Sequence, residues 1–346
     1  MIKRFHPFGN LTLKIYPLLL LHSILLSGCK KDNFSIAGRT DYNCTDPLAN
    51  NFNPTASQNN GSCTYNPTVI PVVRSTSLPQ VFEETSGLIF FEGKLITFND
   101  DHDTHLYLFD PANPSDYATI SIPNIENVDW EEIQADEQYI YIGDIGNNAS
   151  GNRQDLKIYR IEKNKLKQNP VAEVINFSYS DQVDFSPKEP NKTNFDCESF
   201  IVTKQKIYLF TKQWLNGKTS LYELDKNPGK QVAIRKGEVN VSGLITGAAN
   251  LTHKNLVVLS GYTHLLSPFV YLLYDYPEER FLDGNKRKID INMPFYQMEG
   301  IASTDGIHYY LSNEGIQASS GDISVKIKPQ LHLLDLSSYL ISFLGK

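Results

Sequence analysis

The sequence of 346 residues has few methionines (3), tryptophans (2) and cysteines (4), and its 32 basic residues are outnumbered by 39 acidic ones. A net charge of −7 leaves no basic excess to neutralise phosphates, so we exclude nucleic acid as a partner. Tyrosine (19) and phenylalanine (18) are abundant, and aromatic residues favour strands. With 40% hydrophobic residues, the chain can bury a large core, which excludes a wholly disordered protein.

No apolar run is long enough to cross a membrane. The longest, residues 15–26, is shorter than the roughly 20 residues that a spanning helix needs. It follows three basic residues in a stretch without acids, which is the layout of a secretory signal peptide. It ends in Leu26-Ser27-Gly28-Cys29.

This ending resembles a bacterial lipobox, and the polar residues 30–32 that follow fit the same family. The resemblance implies a signal peptide over residues 1–28 and acyl chains such as palmitate on Cys29. We therefore expect a lipid-anchored protein of the bacterial cell envelope, at the outer membrane, with its periplasmic or surface orientation left open. The alternative is an ordinary signal followed by a chance cysteine.

Residues 29–67 form a predicted spacer that contains Cys44 and Cys63. The segment between them resembles a short cysteine-bounded module of Bacteroidetes surface proteins, with the pattern C-T-D-P-x-A-x-N-[YF]-N-P…G-S-C-x-Y. The resemblance implies a Cys44–Cys63 disulfide, which contributes about 3 kcal/mol in chain-entropy estimates. Calcium binding by its Asp and Asn residues is a weaker alternative. Cys197 is left without a partner and is predicted to be a buried thiol.

Residues 68–346 contain a repeat of short strands separated by turns, with no convincing amphipathic helix. Taking Ser86, Glu131, Glu198, Thr246 and Glu299 as equivalent starts, the intervals are 45, 67, 48 and 53 residues. A second strand follows each start, and third and fourth strands often follow that one. Four strands in about 50 residues are typical of one propeller blade.

We therefore predict an all-β protein, a β-propeller with five visible blades, and leave a sixth blade as an open alternative. A single sheet cannot cover both of its faces, whereas a closed ring of sheets can. Residues 69–77 are expected to close the ring by joining the last blade, near residues 330–336. The polar residues 181–194 are predicted to form a loop.

The blade starts carry a resemblance to known families. Glu84-Thr85-Ser86-Gly87-Leu88, Asp129-Trp130-Glu131-Glu132-Ile133 and Gly143-Asp144-Ile145-Gly146-Asn147 resemble uncharacterised propeller lipoproteins of Bacteroidetes. More distantly they are similar to the SdiA-regulated and esterase-like-phytase propellers. The resemblance covers about residues 80–315 and supports the fold far better than any activity, since propellers host unrelated functions.

Equivalent positions of the blades lie at equivalent heights around one axis, so polar residues at the blade starts and at the second-strand ends should line a central funnel. The candidate ligand-binding residues are Asn99, Asp100, Asn147, Arg153, Glu198, Lys212, Tyr262, Glu299, Asn313 and Glu314. Candidate metal ligands are Glu131, Asp144, Glu198 and Glu299, and Asp144 and Glu131 are the candidate catalytic residues.

Several carboxylates in one funnel need a cation, a proton or a basic partner to coexist. Three hypotheses follow. The acids bind backbone amides of a neighbouring blade and only hold the ring together. They hold a divalent cation such as Ca²⁺, as the similar calcium-dependent lactonase propellers do. Or they bind a small cationic or polyhydroxylated ligand, or a peptide.

The sequence has no Gly-x-Ser-x-Gly elbow, no phosphate-binding glycine loop and no His-Glu-x-x-His motif. We therefore interpret the protein as a binding or scaffolding module of the cell envelope that contacts a protein, peptide or glycan. The alternative is a calcium-dependent hydrolase of an ester, lactone or phosphoester, in which a funnel carboxylate acts as general base on a metal-bound water.

Overall fold

A computed structural model of the protein describes residues 41–100, 103–320 and 323–345. The predicted signal peptide and Cys29 lie outside these residues. The described part is almost entirely β-structure, with one α-helix, Ser337–Leu344 (α1). Short 3₁₀ turns occur at Gln80–Phe82, Lys163–Lys165, Thr252–Lys254 and Phe281–Asp283. None of the described helices is long and apolar enough to cross a bilayer.

Four short strands precede the repeats. Strands β1 (Tyr42–Asn43) and β2 (Gln58–Asn59) pair in parallel, beside the Cys44–Cys63 disulfide that the sequence resemblance implied. Strands β3 (Val69–Ile70) and β4 (Arg74–Ser77) follow and join two different blades.

Five blades follow. Blade 1 contains β5 (Ile89–Phe91), β6 (Lys94–Thr97), β7 (His105–Asp110) and β8 (Asn113–Ser121). Blade 2 contains β9 (Trp130–Ala135), β10 (Tyr139–Asp144), β11 (Lys157–Glu162) and β12 (Ala172–Tyr179). Blade 3 contains β13 (Asp196–Val202), β14 (Lys206–Lys212), β15 (Lys218–Asp225) and β16 (Gly229–Asn240). Parallel pairing of the outer strands β12 and β16 joins blades 2 and 3 into one eight-stranded sheet.

Blades 4 and 5 include strands from before the repeats. Blade 4 contains β17 (Leu244–Leu251), β18 (Leu256–Tyr262), β19 (Pro268–Tyr274), β20 (Asn285–Ile291) and, in parallel with β20, β3. Blade 5 contains β21 (Met298–Ala302), β22 (His308–Asn313), β25 (Gln330–Asp335) and β4. A hairpin of β23 (Ile316–Ser320) and β24 (Ile323–Ile327) is inserted between β22 and β25.

The described blades form a closed ring of five. Innermost strands of successive blades contact one another all the way round, and β21 of blade 5 returns to β5 of blade 1. The antiparallel pairing of β4 with β25 completes blade 5, as predicted from the sequence, although the same segment also contributes β3 to blade 4. Hydrogen bonds within the sheet of blade 5 therefore join β4, which precedes the repeats, to β25, which follows them.

Apolar side chains fill the spaces between blades. Each of the five buried clusters contains residues of two successive blades, such as Ile89 with Trp130 and Tyr141 with Phe200. Cys197 is buried in the cluster between blades 2 and 3, as predicted. Inner strands are buried on both faces, whereas outer strands such as β8 are mostly exposed. This radial gradient explains why the inner strands have the stronger sequence pattern.

The glycines that follow three blade starts allow close contact between inner strands. A Cβ on Gly87 would lie 2.5 Å from Ile133 N, and one on Gly300 would lie 2.4 Å from Ser86 O. Between blades 1 and 2, the hydroxyl of Ser86 also donates a hydrogen bond to Glu131 O at 2.7 Å. The recurring Ser-Gly, Thr-Gly and Glu-Gly pairs therefore set the spacing of neighbouring blades.

The disulfide module is attached to blade 4 by partly buried polar contacts. The Tyr65 hydroxyl donates a hydrogen bond to Asp46 at 2.8 Å and lies 2.8 Å from the Tyr274 hydroxyl of β19. Asn59 donates to the Asp275 carboxylate at 3.1 Å and to the Asn285 side-chain oxygen at 2.9 Å. The module therefore extends the propeller with a defined docking geometry.

Candidate functional site

β-Bulges direct the blade-start side chains out of their sheets. In β9, β13, β17 and β21 the register shifts where the strand begins, and the residues left out of the ladder include Glu131, Glu198, Thr246 and Glu299. A bulged residue is released from regular pairing and can aim its side chain away from the sheet. The recurring motif thus specifies a local backbone irregularity at the same height in four blades.

Three carboxylates meet at this level of the ring. Ligand oxygens of Glu131, Asp196 and Glu198 all lie within 4.8 Å of one another, and the three residues are buried. We call Glu131, Asp196, Glu198 and the adjacent Lys212 the hub. Glu131 belongs to blade 2 and the other three residues to blade 3, so the hub joins two blades.

Lys212 supplies the positive charge of the hub. Its Nζ lies 2.5 Å from Glu198 Oε2, and it is also held over the rings of Trp214 (4.7 Å) and Tyr262 (5.1 Å). Burial lowers the pKa of Lys212, but Glu198 and the other carboxylates around it outweigh this effect and hold the pKa well above its usual value. The lysine therefore stays charged, and it is the counter-ion of the cluster.

One ammonium does not neutralise all the surrounding acids. Burial, followed by the charge of Glu198, raises the pKa of Glu131 well above its usual value. Burial and the charge of Asp196 raise the pKa of Asp129 to about 6. Glu131 and the neighbouring Asp129 therefore keep their protons to higher pH than free carboxyl groups do, since carboxylates that share a site cannot all ionise.

Glu299 and Glu314 extend the acidic region into blade 5. Glu299 is buried, its Oε2 has no hydrogen-bond partner among the described residues, and burial together with Glu314 raises its pKa well above the usual value. Burial raises the pKa of Glu314 to about 7, and Gln297 donates a hydrogen bond to it at 2.9 Å. Both residues influence Lys212 or Glu198 electrostatically, so all three predicted blade-start glutamates lie in one electrostatic network.

Asp144 lies in an ion-pair network beside the hub. Arg153 Nη2 is 2.7 Å from Asp144 Oδ1, and Lys157 Nζ is 3.5 Å from Oδ2. The main-chain N–H of Asn147 donates to Asp196 at 2.6 Å, and its side-chain oxygen accepts the Arg153 N–H. Asp144 is thus compensated by two cations, and it is Asp196 that completes the carboxylate triad with Glu131 and Glu198.

Other predicted funnel residues have internal hydrogen bonds. Asn99 donates to Val81 O (2.9 Å) and to Asp103 (3.1 Å). Asn313 is buried, donates to Lys328 O at 3.1 Å, and shares a hydrogen bond of 2.8 Å with the His332 ring. Asp100 is close enough to raise the pKa of Glu299. Asn99 and Asn313 therefore hold local structure together, whereas Asp100 adds charge to the hub surroundings.

Side chains also span the axis. Glu132 Oε2 accepts the Ala248 N–H at 2.8 Å, and Gln134 Nε2 donates to Ala248 O at 2.6 Å, which connects blade 2 to the non-adjacent blade 4. The architectural hypothesis assigned such amide contacts to Glu131, Glu198 and Glu299, but in the ring it is Glu132 that makes them. The two hydrogen bonds join the inner strands β9 and β17 across the ring.

Sequence reasoning missed Asp129, Glu132 and Asp196 as site residues. A usable signal was present, because Asp129 and Asp196 each precede a blade-start glutamate by two positions, a spacing that places side chains on one face of a strand. The acid next to the start, Glu132, gave no such signal, since its partner is a backbone group of a distant blade.

The hub partly fits a divalent cation. Three carboxylates at this separation match the ligand type and spacing that Ca²⁺ prefers. However, Lys212 already binds Glu198, and both Asp196 oxygens accept N–H groups, from Asn147 and Trp214. Ca²⁺ needs roughly six to eight oxygen ligands, more than one oxygen from each of the three carboxylates supplies, and the positive charge of Lys212 beside them opposes a second cation.

Comparison of the chain with protein-family models and with curated proteins gave no match. Solved structures that match the chain include a gluconolactonase of Xanthomonas campestris (12% identity, 76% of this chain and 80% of that chain, TM-score 0.41). A putative oxidoreductase (glucose dehydrogenase) of Thermus thermophilus is 10% identical over 75% of this chain and 99% of that chain, with a TM-score of 0.43. A chain of the mitotic checkpoint complex is similar over 77% of this chain and 95% of its own, at 10% identity and a TM-score of 0.37.

The raised pKa of Glu131 predicts how stability depends on pH. A carboxyl group whose pKa is higher in the folded state than in the unfolded state stabilises the fold at pH values below its unfolded pKa. This stabilisation is lost as pH rises through the folded pKa. We expect Glu131→Gln to match the parent at about pH 4, below the ordinary pKa of a glutamate, and to exceed its free energy of unfolding by about 1–3 kcal/mol at about pH 8. Urea denaturation at both pH values measures this. The exposed control Glu137→Gln should follow the parent, and a Glu131→Gln variant less stable than the parent at the higher pH would contradict the assignment.

Proposed function

We propose that the protein is a binding or scaffolding module of the cell envelope, and that the hub stabilises the ring that carries the binding surface. The observation that carries this proposal is the Lys212–Glu198 ion pair at 2.5 Å, buried on both sides. The lysine already binds one of the three carboxylates, and Glu131, the most exposed of the three, is only 6% exposed. A substrate carbonyl has no direct access to such groups.

The binding surface in this proposal is the end of the ring at which the inner strands begin, which we call the upper face. Because the strands are antiparallel, the loops that lead into the inner strands and those that follow the second strands lie together there. Apolar side chains are exposed in these loops: Val128, Leu215, Leu265 and Phe295 are 50–80% exposed. Exposed apolar groups around one face are typical of protein or peptide contacts.

The envelope location in this proposal rests on the lipobox-like Leu26-Ser27-Gly28-Cys29 and on the disulfide, which is typical of exported proteins. Acylation of Cys29 would attach the propeller to the membrane through the spacer. The partners expected there are an envelope protein, a peptide or a glycan.

A calcium-dependent hydrolase is the second candidate, favoured by the convergence of three carboxylates within 4.8 Å. In that function Glu131, Asp196 and Glu198 would hold the ion, and the ion would supply a polarised water. Lys212 would then have to leave Glu198 before the three carboxylates could bind the ion.

Calcium titration separates the two functions. We expect no rise in the melting temperature of the chain from residue 30 onward when Ca²⁺ is added, because Lys212 occupies the cluster. Lys212→Met removes that charge, so Ca²⁺ at about 100 times its dissociation constant should raise the variant's melting temperature by about 3–8 °C. Lys218→Met, which removes an exposed lysine of the same blade, is the control.

A calcium-induced rise in the parent, or calcium-dependent turnover of ester and lactone substrates that Glu131→Gln abolishes, would instead support the hydrolase. Absence of a calcium response in Lys212→Met would show that the three carboxylates do not form a cation site at all.

Lipid attachment is tested separately. Cells that express the full chain with an alkyne-labelled palmitate should incorporate the label, and Cys29→Ser should lose it and move from the detergent phase to the aqueous phase. Cys197→Ser is the matched control and should keep the label, because that thiol is buried. Equal labelling of the parent and the Cys29→Ser variant would refute the lipobox interpretation.

A further inference from the structure

Arg287 of β20 is a buried cation with no ion pair to the rest of the described chain. It is 7% exposed, and its Nε and Nη1 have no hydrogen-bond partner among the described residues. Its guanidinium is stacked between the rings of Tyr65 (4.6 Å) and Tyr339 (4.7 Å). An arginine cannot release its proton, so leaving N–H donors buried and unsatisfied costs free energy that a bound anion would offset.

A cavity of about 490 Å³ lies beside this arginine, between the disulfide module and blade 4. Its lining includes Thr64, Tyr65 and Arg287. The neighbouring Lys286 and Lys288 also border it, but their ammonium groups donate to backbone carbonyls of Gly284 and Ser242. Asp290 is the acid on the border. Among the described residues that line the cavity, Arg287 is thus the cation whose Nε and Nη1 have no hydrogen-bond partner.

The cavity also exposes a strand edge. Strand β3 covers β20 only at Asp290 and Ile291, where the Asp290 N–H donates to Thr68 O at 2.9 Å. Outward-pointing N–H groups recur at every second residue of a strand, so those of Lys288 and Lys286 point to the same edge. No strand of the described residues covers that part of β20. An extended segment can pair with such an edge.

We infer that this cavity binds a carboxylate, and that the carboxylate is the C terminus of an extended peptide. The Arg287 guanidinium lies against two tyrosine rings, and its planar fork is the group that a carboxylate accepts in a bidentate contact. Its Nε and Nη1 are closed off from solvent, so the carboxylate reaches them when a side chain bordering the cavity shifts. The adjoining backbone of the peptide would pair with β20 at Lys286 and Lys288, where the disulfide module leaves the edge open. This site is independent of the hub and of the upper face.

Isothermal titration of the full chain in detergent tests the inference with three probes: tetra-alanine with a free carboxylate, the same peptide amidated, and acetate. We expect saturable binding of the free peptide, at least about 10-fold weaker binding of the amidated peptide, and weak binding of acetate. Acetate binding as tight as that of the peptide would support a carboxylate site but contradict the inference that the carboxylate belongs to a peptide. Equal binding of the free and amidated peptides, or no binding of any probe, would overturn the inference.

Variants assign the binding to Arg287. Arg287→Met keeps a flexible side chain between the tyrosine rings and should abolish binding of the free peptide. Arg287→Lys keeps the charge without the fork and should weaken binding about 10-fold, which covers the case in which the methionine variant does not fold. Arg280→Met, at an exposed arginine of the same blade, should bind like the parent. Full binding by either Arg287 variant would contradict the assignment.

Discussion

The acidic centre of this propeller depends on the ion pair between Lys212 and Glu198, because the lysine compensates charge among buried carboxylates. Bringing blade starts to one axis buries Glu131, Asp196 and Glu198 within 4.8 Å of one another, and isolated buried carboxylates are too costly to stay ionised. Lys212 compensates one charge at 2.5 Å, and the raised pKa values of Glu131 and Glu299 favour the neutral forms of these two groups. The cost of the acidic centre is thereby reduced without an external ion.

The ring depends on the same few positions in a second way. Bulges at the blade starts turn side chains towards the axis, while the glycine that follows a start lets the next inner strand approach, as Gly87 does for Ile133. Glu132 then reaches Ala248 across the axis. One short motif therefore controls both the packing of neighbouring blades and the chemistry of the centre, so its recurrence within the chain does not by itself indicate catalysis.

The inner strands and the ring closure were predictable because burial on both faces leaves a strong apolar pattern, and the blade-start interval is regular enough to detect. Outer strands such as β8 and β16 were missed, since they are exposed and polar and gain their structure from a neighbouring strand. In the centre, the convergence of Glu131 and Glu198 followed from symmetry. That the acids need basic partners, with Lys212 and Arg153 supplying part of the compensation, also followed from the sequence. Which acid each cation binds and the participation of Asp196 depend on side-chain directions that no sequence period encodes.

A double-mutant cycle on Glu198→Gln and Lys212→Met, followed by urea denaturation at neutral pH, tests the central claim most directly. Removing either partner leaves the other charge buried and unpaired, so each single variant should lose about 3–5 kcal/mol. The double variant should lose clearly less than the two together, giving a coupling energy of about 2–3 kcal/mol. Losses that add to within about 0.5 kcal/mol would show that the two groups do not interact and that the centre is held together by something else.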